Sequence, residues 1–237
     1  MAPGTVLVAL PGTMCTPAVF GPLARALAGE VTVDPVSWLT EPGPWDIPSI
    51  AERVADHIND RWHRPVLVCG HSTGGAIALQ LTIRHPDAVA GLVLVDTGAH
   101  MHGHGDVDAI LERIRTDWGE QLRAAVLDRS FLEPLAPQVR KEFLAWAAAV
   151  DQQAVYDVLA SQRDLDLTSE LRNITQPAVV VHGQHDRARP PEQGRELAAS
   201  LPDAEFRLIE NAGHTPVYET PEVVAGAVRN VLARTWF

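Results

Sequence analysis

The sequence predicts an α/β fold, with a mostly parallel sheet of about six strands, helices on both faces and an inserted helical segment. Two patterns along the 237 residues lead to this prediction. Short apolar runs, typical of buried strands, alternate with longer segments in which apolar residues recur at helical spacing. The stretch 99–172 interrupts this alternation, because it has helical patterns and no run that is typical of a strand.

The predicted strands are the short apolar runs Thr5–Leu10, Val31–Val33, Val66–Cys69, Leu92–Val95, Val179–Val181 and Phe206–Ile209. The fourth run is apolar at every position, which is typical of a strand that is covered on both faces. The helices predicted between the strands are Ala18–Ala28, Ser49–Asp60, Gly74–Arg84, Glu192–Ser200 and Val223–Arg234. Ser49 and Glu52 have the spacing of a capping box, so we expect the second of these helices to begin at Ser49.

The stretch 99–172 contains four predicted helices, which are Asp108–Trp118, Gln121–Asp128, Gln138–Val150 and Gln153–Arg163. A crossover between parallel strands needs only about a dozen residues, so the excess predicts an inserted helical cap. Residues 1–98 and 173–237 then form the main domain. The aromatic residues of the insertion either form its own core or line a pocket. Our candidates for the pocket wall are Trp146 and Tyr156, together with Trp38 in the loop after the second strand.

The composition excludes several classes of protein. Hydrophobic residues make up 46% of the chain and charged residues 21%, which is typical of a globular protein. The 19 basic and 30 acidic residues give a net charge of −11, which disfavours nucleic acid and membrane surfaces as partners. We see no targeting segment and no apolar run of about 20 residues, so we expect a cytoplasmic protein. In that compartment Cys15 and Cys69 should be reduced thiols.

One motif carries chemistry. The segment Gly70–Gly75, with the sequence GHSTGG, follows the third strand and opens a helix, which is the context that a G-x-S-x-G motif requires. A chain that turns this sharply has no room for side chains at Gly70 and Gly74. The turn lifts the Ser72 hydroxyl above the carboxyl edge of the sheet, where ligands bind in open α/β sheets. We therefore predict that Ser72 is a nucleophile.

A serine nucleophile needs a base that is held by a carboxylate, and the expected chain order is serine, acid, histidine. His214 is the best base, because it lies in the loop just past the sixth strand. Asp186 is the best acid, because it follows the fifth strand in the segment VHGQHD. Asp96, at the end of the fourth strand, is the alternative acid, and Asp34 is a distant third.

With these residues in place, the sequence resembles the α/β-hydrolase superfamily, in its serine esterase and cofactor-free haloperoxidase-like branch. The resemblance runs over the main domain from about Thr5 to Leu232, and such proteins carry a cap between the corresponding strands. It implies that the main domain is catalytic and that Ser72, Asp186 and His214 form a triad. The chain begins almost at the family's third strand, so the resemblance also implies that the usual N-terminal hairpin is missing.

The same resemblance implies an oxyanion hole. One donor is the backbone N–H of Thr73, the residue after the nucleophile. The other donor comes from the loop after the first strand, where the family usually has His-Gly and this chain has Pro11-Gly12. Proline has no N–H to donate, so we expect Thr13 to provide the donor, with Met14 as the second choice.

A histidine-rich segment precedes the predicted insertion. Residues 100–106 read HMHGHGD, and alternating histidines occur in metal-binding tracts. A catalytic zinc site, however, needs three well-placed ligands and supporting contacts. We therefore expect a solvated linker here, and we predict neither a metal nor an organic cofactor.

These observations predict a serine hydrolase that cleaves a small or medium carboxylic ester, thioester or lactone through an acyl-enzyme on Ser72. The partner is then a small-molecule ester-like substrate, and the sequence does not indicate an oligomeric state. Two alternatives stay open. One is a non-hydrolytic enzyme on the same scaffold, with C–C bond cleavage, lyase, perhydrolase or cyclase chemistry, because function depends on the site rather than the fold. The other is a ligand-binding pseudoenzyme.

Overall fold

The computed structural model describes residues 4–235, which contain one sheet of six parallel strands. The strands are β1 (Thr5–Leu10), β2 (Val31–Pro35), β3 (Val66–His71), β4 (Val89–Val95), β5 (Ala178–Gly183) and β6 (Ala204–Ile209). Their order across the sheet is β2-β1-β3-β4-β5-β6, and every neighbouring pair is parallel. The predicted fold class is confirmed, and each apolar run corresponds to a strand that is equally long or longer.

The helices lie at the predicted places in the chain, except for the single turn α9, which the sequence analysis did not predict. They are α1 (Gly21–Ala26), α2 (Ile47–Trp62), α3 (Thr73–Arg84), α4 (Val107–Thr116), α5 (Glu120–Arg129), α6 (Pro137–Ala149), α7 (Gln152–Asp164), α8 (Pro191–Ser200), α9 (Pro216–Glu219) and α10 (Pro221–Arg234). The predicted helix Ala18–Ala28 is a 3₁₀ turn, Pro17–Phe20, followed by α1. None of the helices in residues 4–235 is long and apolar enough to cross a lipid bilayer.

The expected capping box is wrong. Helix α2 begins at Ile47, and its N-cap is Asp46, whose Oδ1 accepts a hydrogen bond from the Ser49 N–H at 2.9 Å. Pro48 therefore lies inside the first turn, where a missing N–H costs nothing because that donor has no partner within the helix. The predicted start at Ser49 is two residues too late.

Both faces of the sheet are covered, as continuous apolar runs require. In β1, Val6 and Val8 belong to the hydrophobic core that includes α2 and α3, whereas Leu7 and Ala9 belong to the core that includes α1 and α10. The other central strands alternate in the same way, because successive side chains of a strand point to opposite faces. The sheet is therefore a buried central layer, and its carboxyl edge is the part that can carry a site.

Helices α4–α7 all lie in the chain between β4 and β5. The Gln152 amide joins α7 to α4, because it donates to the Ile114 carbonyl at 2.8 Å. Phe131 and Phe143 belong to the core on the α10 side of the sheet, where both rings stand edge-on to Tyr218. This stretch therefore packs on the sheet through shared apolar contacts.

The register of the central strands aligns the ends that carry polar residues. His71 of β3 pairs with Val95 of β4, and Val95 pairs with Val181 of β5. The residues that follow these positions, Ser72, Asp96 and His182, therefore lie side by side at the carboxyl edge.

Candidate active site

Ser72 lies at the junction of β3 and α3 with a strained backbone, φ 54° and ψ −120°. A non-glycine residue seldom adopts a positive φ, and such strain is concentrated at functional sites. The turn is held from below, because the Ser72 N–H donates to the Val95 carbonyl at 2.9 Å. A Cβ at position 70 would lie 2.4 Å from the Gly74 carbonyl oxygen, and one at position 74 would lie 2.0 Å from the Leu10 carbonyl oxygen. The two glycines are thus required by the close approach of backbone to backbone.

Three residues that are far apart in the chain meet at this turn. The Nε2 of His214 is 2.9 Å from the Ser72 hydroxyl oxygen, and its Nδ1 is 2.7 Å from the Asp186 carboxylate. Asp186 lies in the loop after β5, and His214 lies in the loop after β6. The structure therefore brings together the three residues that the sequence predicts as nucleophile, base and acid, with His214 between the other two.

The Asp186 carboxylate receives hydrogen bonds on both oxygens. Its Oδ1 accepts from the N–H groups of Ala188 and Arg189, at 2.7 and 3.0 Å. Its Oδ2 faces His214 and, at 3.3 Å, the Nε2 of His182. Burial by itself would raise the pKa of Asp186, but the neighbouring His214 and these hydrogen bonds hold the pKa well below its usual range. The carboxylate is therefore ionised at neutral pH.

Asp96, the alternative acid, lies behind Asp186 and differs in protonation. Its Oδ1 accepts one hydrogen bond, from the Gly183 N–H at 3.0 Å, and its Oδ2 has no partner among residues 4–235. Complete burial, followed by the charge of Asp186, raises the pKa of Asp96 well above its usual value. Asp96 therefore keeps its proton to a higher pH than Asp186 does, and Asp186 is the carboxylate that contacts His214.

Asp34, the third candidate acid, lies elsewhere. Its carboxylate receives hydrogen bonds from the His57 ring at 2.8 Å and from the Trp62 indole at 2.9 Å. Both partners belong to α2. Asp34 therefore ties β2 to a helix and has no contact with His214.

His182 is a site residue that sequence reasoning missed. It is fully buried, and its Nε2 lies 3.1 Å from the Arg189 carbonyl oxygen, 3.3 Å from Asp186 and 3.5 Å from Asp96. The sequence feature that could have identified His182 is its position at the end of β5, in the segment that also contains Asp186.

Asp96, His182 and Asp186 also place three potential metal-ligand atoms within 4.8 Å of one another. The Asp186 oxygens already face four donors, which are two backbone N–H groups and two imidazole rings. We therefore interpret the cluster as a hydrogen-bonded support for the acid.

The expected oxyanion donors lie beside Ser72. A turn after β1 is closed by a hydrogen bond from the Cys15 N–H to the Gly12 carbonyl, which leaves the N–H groups of Thr13 and Met14 without an acceptor among the described residues. Met14 has a positive φ of 61°. Thr73 is the first residue of α3, so its N–H has no partner within the helix. Thr13, Met14 and Thr73 all line the cavity that contains Ser72.

The cavity lies between the elbow and helices α4–α7. Its wall is largely apolar and includes Met101, Val107, Ile110, Ile114, Leu122, Val126, Leu127, Phe131, Phe143, Ala147 and Leu159. Polar groups at the wall include His104 of the histidine-rich segment, and also Gln162, Arg123 and Arg129, which the sequence did not single out. An apolar wall with a few convergent polar groups is typical of a small-molecule site.

The aromatic residues expected at the pocket do not line it. Trp38 is only 1% exposed, because it packs in the core and its indole N–H donates to the Pro11 carbonyl at 2.9 Å. Tyr156 packs against the small cluster of Met101, Val107 and Leu111. Trp146 packs against the core on the α2 and α3 side. The sequence pointed to aromatic residues in general, and the wall is built mainly from aliphatic ones.

The histidine-rich segment is exposed at His102, Gly103, Gly105 and Asp106, as expected of a solvated linker, but its backbone is also anchored by hydrogen bonds. Arg189, which is 3% exposed, donates to the His100 carbonyl at 3.0 Å and to the Met101 sulfur at 3.2 Å. Gln193 donates to the His102 carbonyl at 2.7 Å. These contacts hold His104 at the cavity, where burial and then the charge of Arg189 lower its pKa to about 4. His104 is therefore a neutral imidazole at physiological pH.

His71 also lies under the site. Its Nε2 donates to the backbone carbonyl of His214 at 2.7 Å, which ties the elbow to the loop of the base. Burial lowers the pKa of His71 to about 3, so the ring stays neutral. Cys15 and Cys69 are free thiols, and burial raises the pKa of each to about 12.

Comparisons with known proteins agree with this fold. A sequence model of the alpha/beta hydrolase family matches residues 7–227. The chain is 29% identical over 196 residues to the AB hydrolase superfamily protein YisY of Bacillus subtilis, which covers 76% of this chain and 72% of that protein. It is 24% identical over 194 residues to a pimeloyl-(acyl-carrier protein) methyl ester esterase of Nitrosospira multiformis, which covers 76% and 73%.

A solved structure points the same way. A thermophilic esterase from Thermogutta terrifontis superposes with a TM-score of 0.83 at 25% identity, over 98% of this chain and 90% of that one. The match of the family model extends over most of the chain and includes the elbow, the acid loop and the His214 loop. This chain is a member of the α/β hydrolase family.

Proposed function

We propose that the protein is a serine hydrolase that cleaves a small or medium carboxylic ester, thioester or lactone. The observation that carries the proposal is the hydrogen-bonded chain from the Ser72 hydroxyl through His214 to Asp186, with distances of 2.9 and 2.7 Å. Relatives whose names include esterase support the substrate class.

The geometry suggests how the reaction proceeds. His214 Nε2 accepts the Ser72 proton as the hydroxyl oxygen attacks the carbonyl carbon. The ionised Asp186 holds the Nδ1–H and stabilises the imidazolium that forms. The N–H groups of Thr73 and of Thr13, or Met14 in its place, stabilise the oxyanion.

His214 then protonates the leaving group and later activates the water that releases the acyl-enzyme on Ser72. We infer that residues 99–172 act as the cap, since α4–α7 supply most of the apolar wall above Ser72. The acyl or alkoxy chain would lie against this wall, out of water. All of the steps use groups of this chain.

A labelling and turnover experiment tests the proposal. We expect a fluorophosphonate probe to label the wild type and Ser200→Ala, a control at an exposed serine on α8, but not Ser72→Ala. We expect the wild type and the control, but not Ser72→Ala, to hydrolyse p-nitrophenyl esters. Turnover that survives in Ser72→Ala would place the active site elsewhere. Labelling at Ser72 without turnover of esters, thioesters or lactones would favour non-hydrolytic chemistry, and no labelling would favour a binding protein.

A further inference from the structure

Gln162 connects the helical stretch to the nucleophile elbow. It lies on α7, is 5% exposed and lines the cavity. The Thr13 hydroxyl donates to the Thr73 hydroxyl oxygen at 2.8 Å, and the Thr73 hydroxyl donates to the Gln162 Oε1 at 2.8 Å. The three side chains thus form one hydrogen-bonded row that runs from the loop after β1, across the elbow, to α7.

The direction of this row determines how the Gln162 amide is oriented. Since the Thr73 oxygen already accepts from Thr13, its own proton goes to Gln162, and that partner must be the amide oxygen. The amide nitrogen then carries two donors, and no acceptor among residues 4–235 receives either of them. This nitrogen is not among the fully buried unpartnered atoms, so it opens onto the cavity that Gln162 lines.

The surroundings of the amide make these donors unusual. Leu159, Ile110 and Ile114 form part of the same wall, and the cavity is mainly apolar. An N–H group that faces such a wall loses free energy unless a ligand or a water accepts its hydrogen bond. A preoriented donor in an apolar cavity is the arrangement by which binding sites recognise one polar atom of a ligand.

We propose that Gln162 is a specificity-determining residue that donates a hydrogen bond to an acceptor oxygen in the acyl part of the substrate, close to the scissile carbonyl. This inference rests on the proposed function. It places the oxygen close to the ester because Gln162 contacts the side chain of Thr73, the residue whose N–H we assign to the oxyanion hole. The preferred substrates are then acyl groups that bear an ether or carbonyl oxygen a few bonds from the ester, rather than plain alkanoyl groups.

An isosteric pair of substrates tests this proposal. p-Nitrophenyl methoxyacetate and p-nitrophenyl butanoate differ only in one ether oxygen in place of a methylene. We would measure kcat/KM for both and divide each value by the rate constant of hydroxide-catalysed hydrolysis, to remove the intrinsic reactivity of the methoxy ester. We expect the wild type to prefer methoxyacetate by about tenfold after this correction, the effect of one hydrogen bond.

Two variants and a control complete the design. Gln162→Leu removes the donors, and Gln162→Glu keeps an acceptor for Thr73 while replacing the donors with an anion. Both should lose the corrected preference, and a thermal melt of each variant shows whether it folds. Gln153→Leu, at an exposed position on the same helix, should behave as the wild type.

The results separate this proposal from the proposed function. A wild type that hydrolyses both esters without a corrected preference overturns the role of Gln162 and leaves the hydrolase intact. An equal loss on both esters in the Gln162 variants also overturns it, because Gln162 would then act only by positioning Thr73. A wild type with no turnover and no labelling at Ser72 overturns the proposed function itself.

Discussion

The ends of β4 and β5 carry two aspartates that lie in similar positions but have opposite pKa shifts. Asp96 follows β4 directly, and Asp186 lies in the loop after β5. Both carboxyl groups are completely shielded from solvent, and both face His182. Burial therefore does not distinguish them, yet the pKa of Asp186 is lowered and the pKa of Asp96 is raised.

The difference lies in the number of donors. Two backbone N–H groups and two imidazoles converge on Asp186, whereas a single backbone N–H, from Gly183, makes a close contact with Asp96. Hydrogen bonds to the charged form offset the cost of removing it from water, and without them the group keeps its proton. The loop after β5 supplies the two backbone donors, the N–H groups of Ala188 and Arg189, whereas the residue that follows β4 is Asp96 itself, with a positive φ of 48°.

The largest expected effect comes from Asp186→Asn. An amide cannot stabilise the imidazolium and favours the wrong tautomer of His214, so we expect kcat to fall by about 10⁴. The measurement is ester turnover together with a thermal melt that shows a folded protein. Asp96→Asn is the matched control. A large loss in the control and a small one in Asp186→Asn would reassign the acid to Asp96.

An intermediate effect should follow from Gly194→Ala. A Cβ at this position of α8 would lie 2.5 Å from the Nδ1 of His182 and would push that ring away from both aspartates. Overpacking of this kind costs about 1–3 kcal/mol, so we expect a decrease of that size in the free energy of unfolding, measured with urea.

Gly226→Ala on α10 is the matched control for this substitution. A Cβ there meets no atom within 4 Å, so alanine should stabilise the helix by up to about 1 kcal/mol. Equal effects of the two substitutions on the free energy of unfolding would show that the packing of His182 does not contribute to stability.

The smallest expected effect on activity is that of Asp96→Asn. Asparagine resembles the neutral acid, keeps the acceptor for Gly183 and should change kcat/KM by less than about threefold. The effect on stability should depend on pH. Burial and Asp186 raise the pKa of Asp96 in the folded protein. The favourable contribution of Asp96 to the free energy of unfolding is therefore complete at a pH below the pKa that it has in the unfolded chain. This contribution is lost as the pH rises towards the pKa of Asp96 in the folded protein.

The Asn variant lacks this titration, so its stability relative to the wild type should increase as the pH is raised from about 4 to 8, across the range above the ordinary aspartate pKa. Thermal melts of the two proteins across this range measure the difference. A difference in thermal stability that does not change with pH would mean that Asp96 is ionised in the folded state. It would then not differ from Asp186 in protonation.

Much of the fold was predictable, because local physics determined it. Continuous apolar runs in β1, β3, β4 and β5 require cover on both faces, and the structure provides it. The backbone contacts at Gly70 and Gly74 leave room for no side chain, so the elbow was recognisable from its glycines together with the strand before it and the helix after it. The start of α2 was misplaced because Asp46 and Ser49 are both good N-cap residues, and only the backbone geometry distinguishes them.

The sequence by itself determined the parallel sheet, the strained turn at Ser72 and the strand-end loops that carry Asp186 and His214, since these follow from local pattern and chain order. Tertiary structure alone decided the protonation of the two aspartates, the aliphatic wall of the cavity and the contact between Thr73 and Gln162, which are 89 residues apart. The physical reason is that pKa values and hydrogen bonds depend on the groups that converge on an atom, and residues distant in the chain supply those groups.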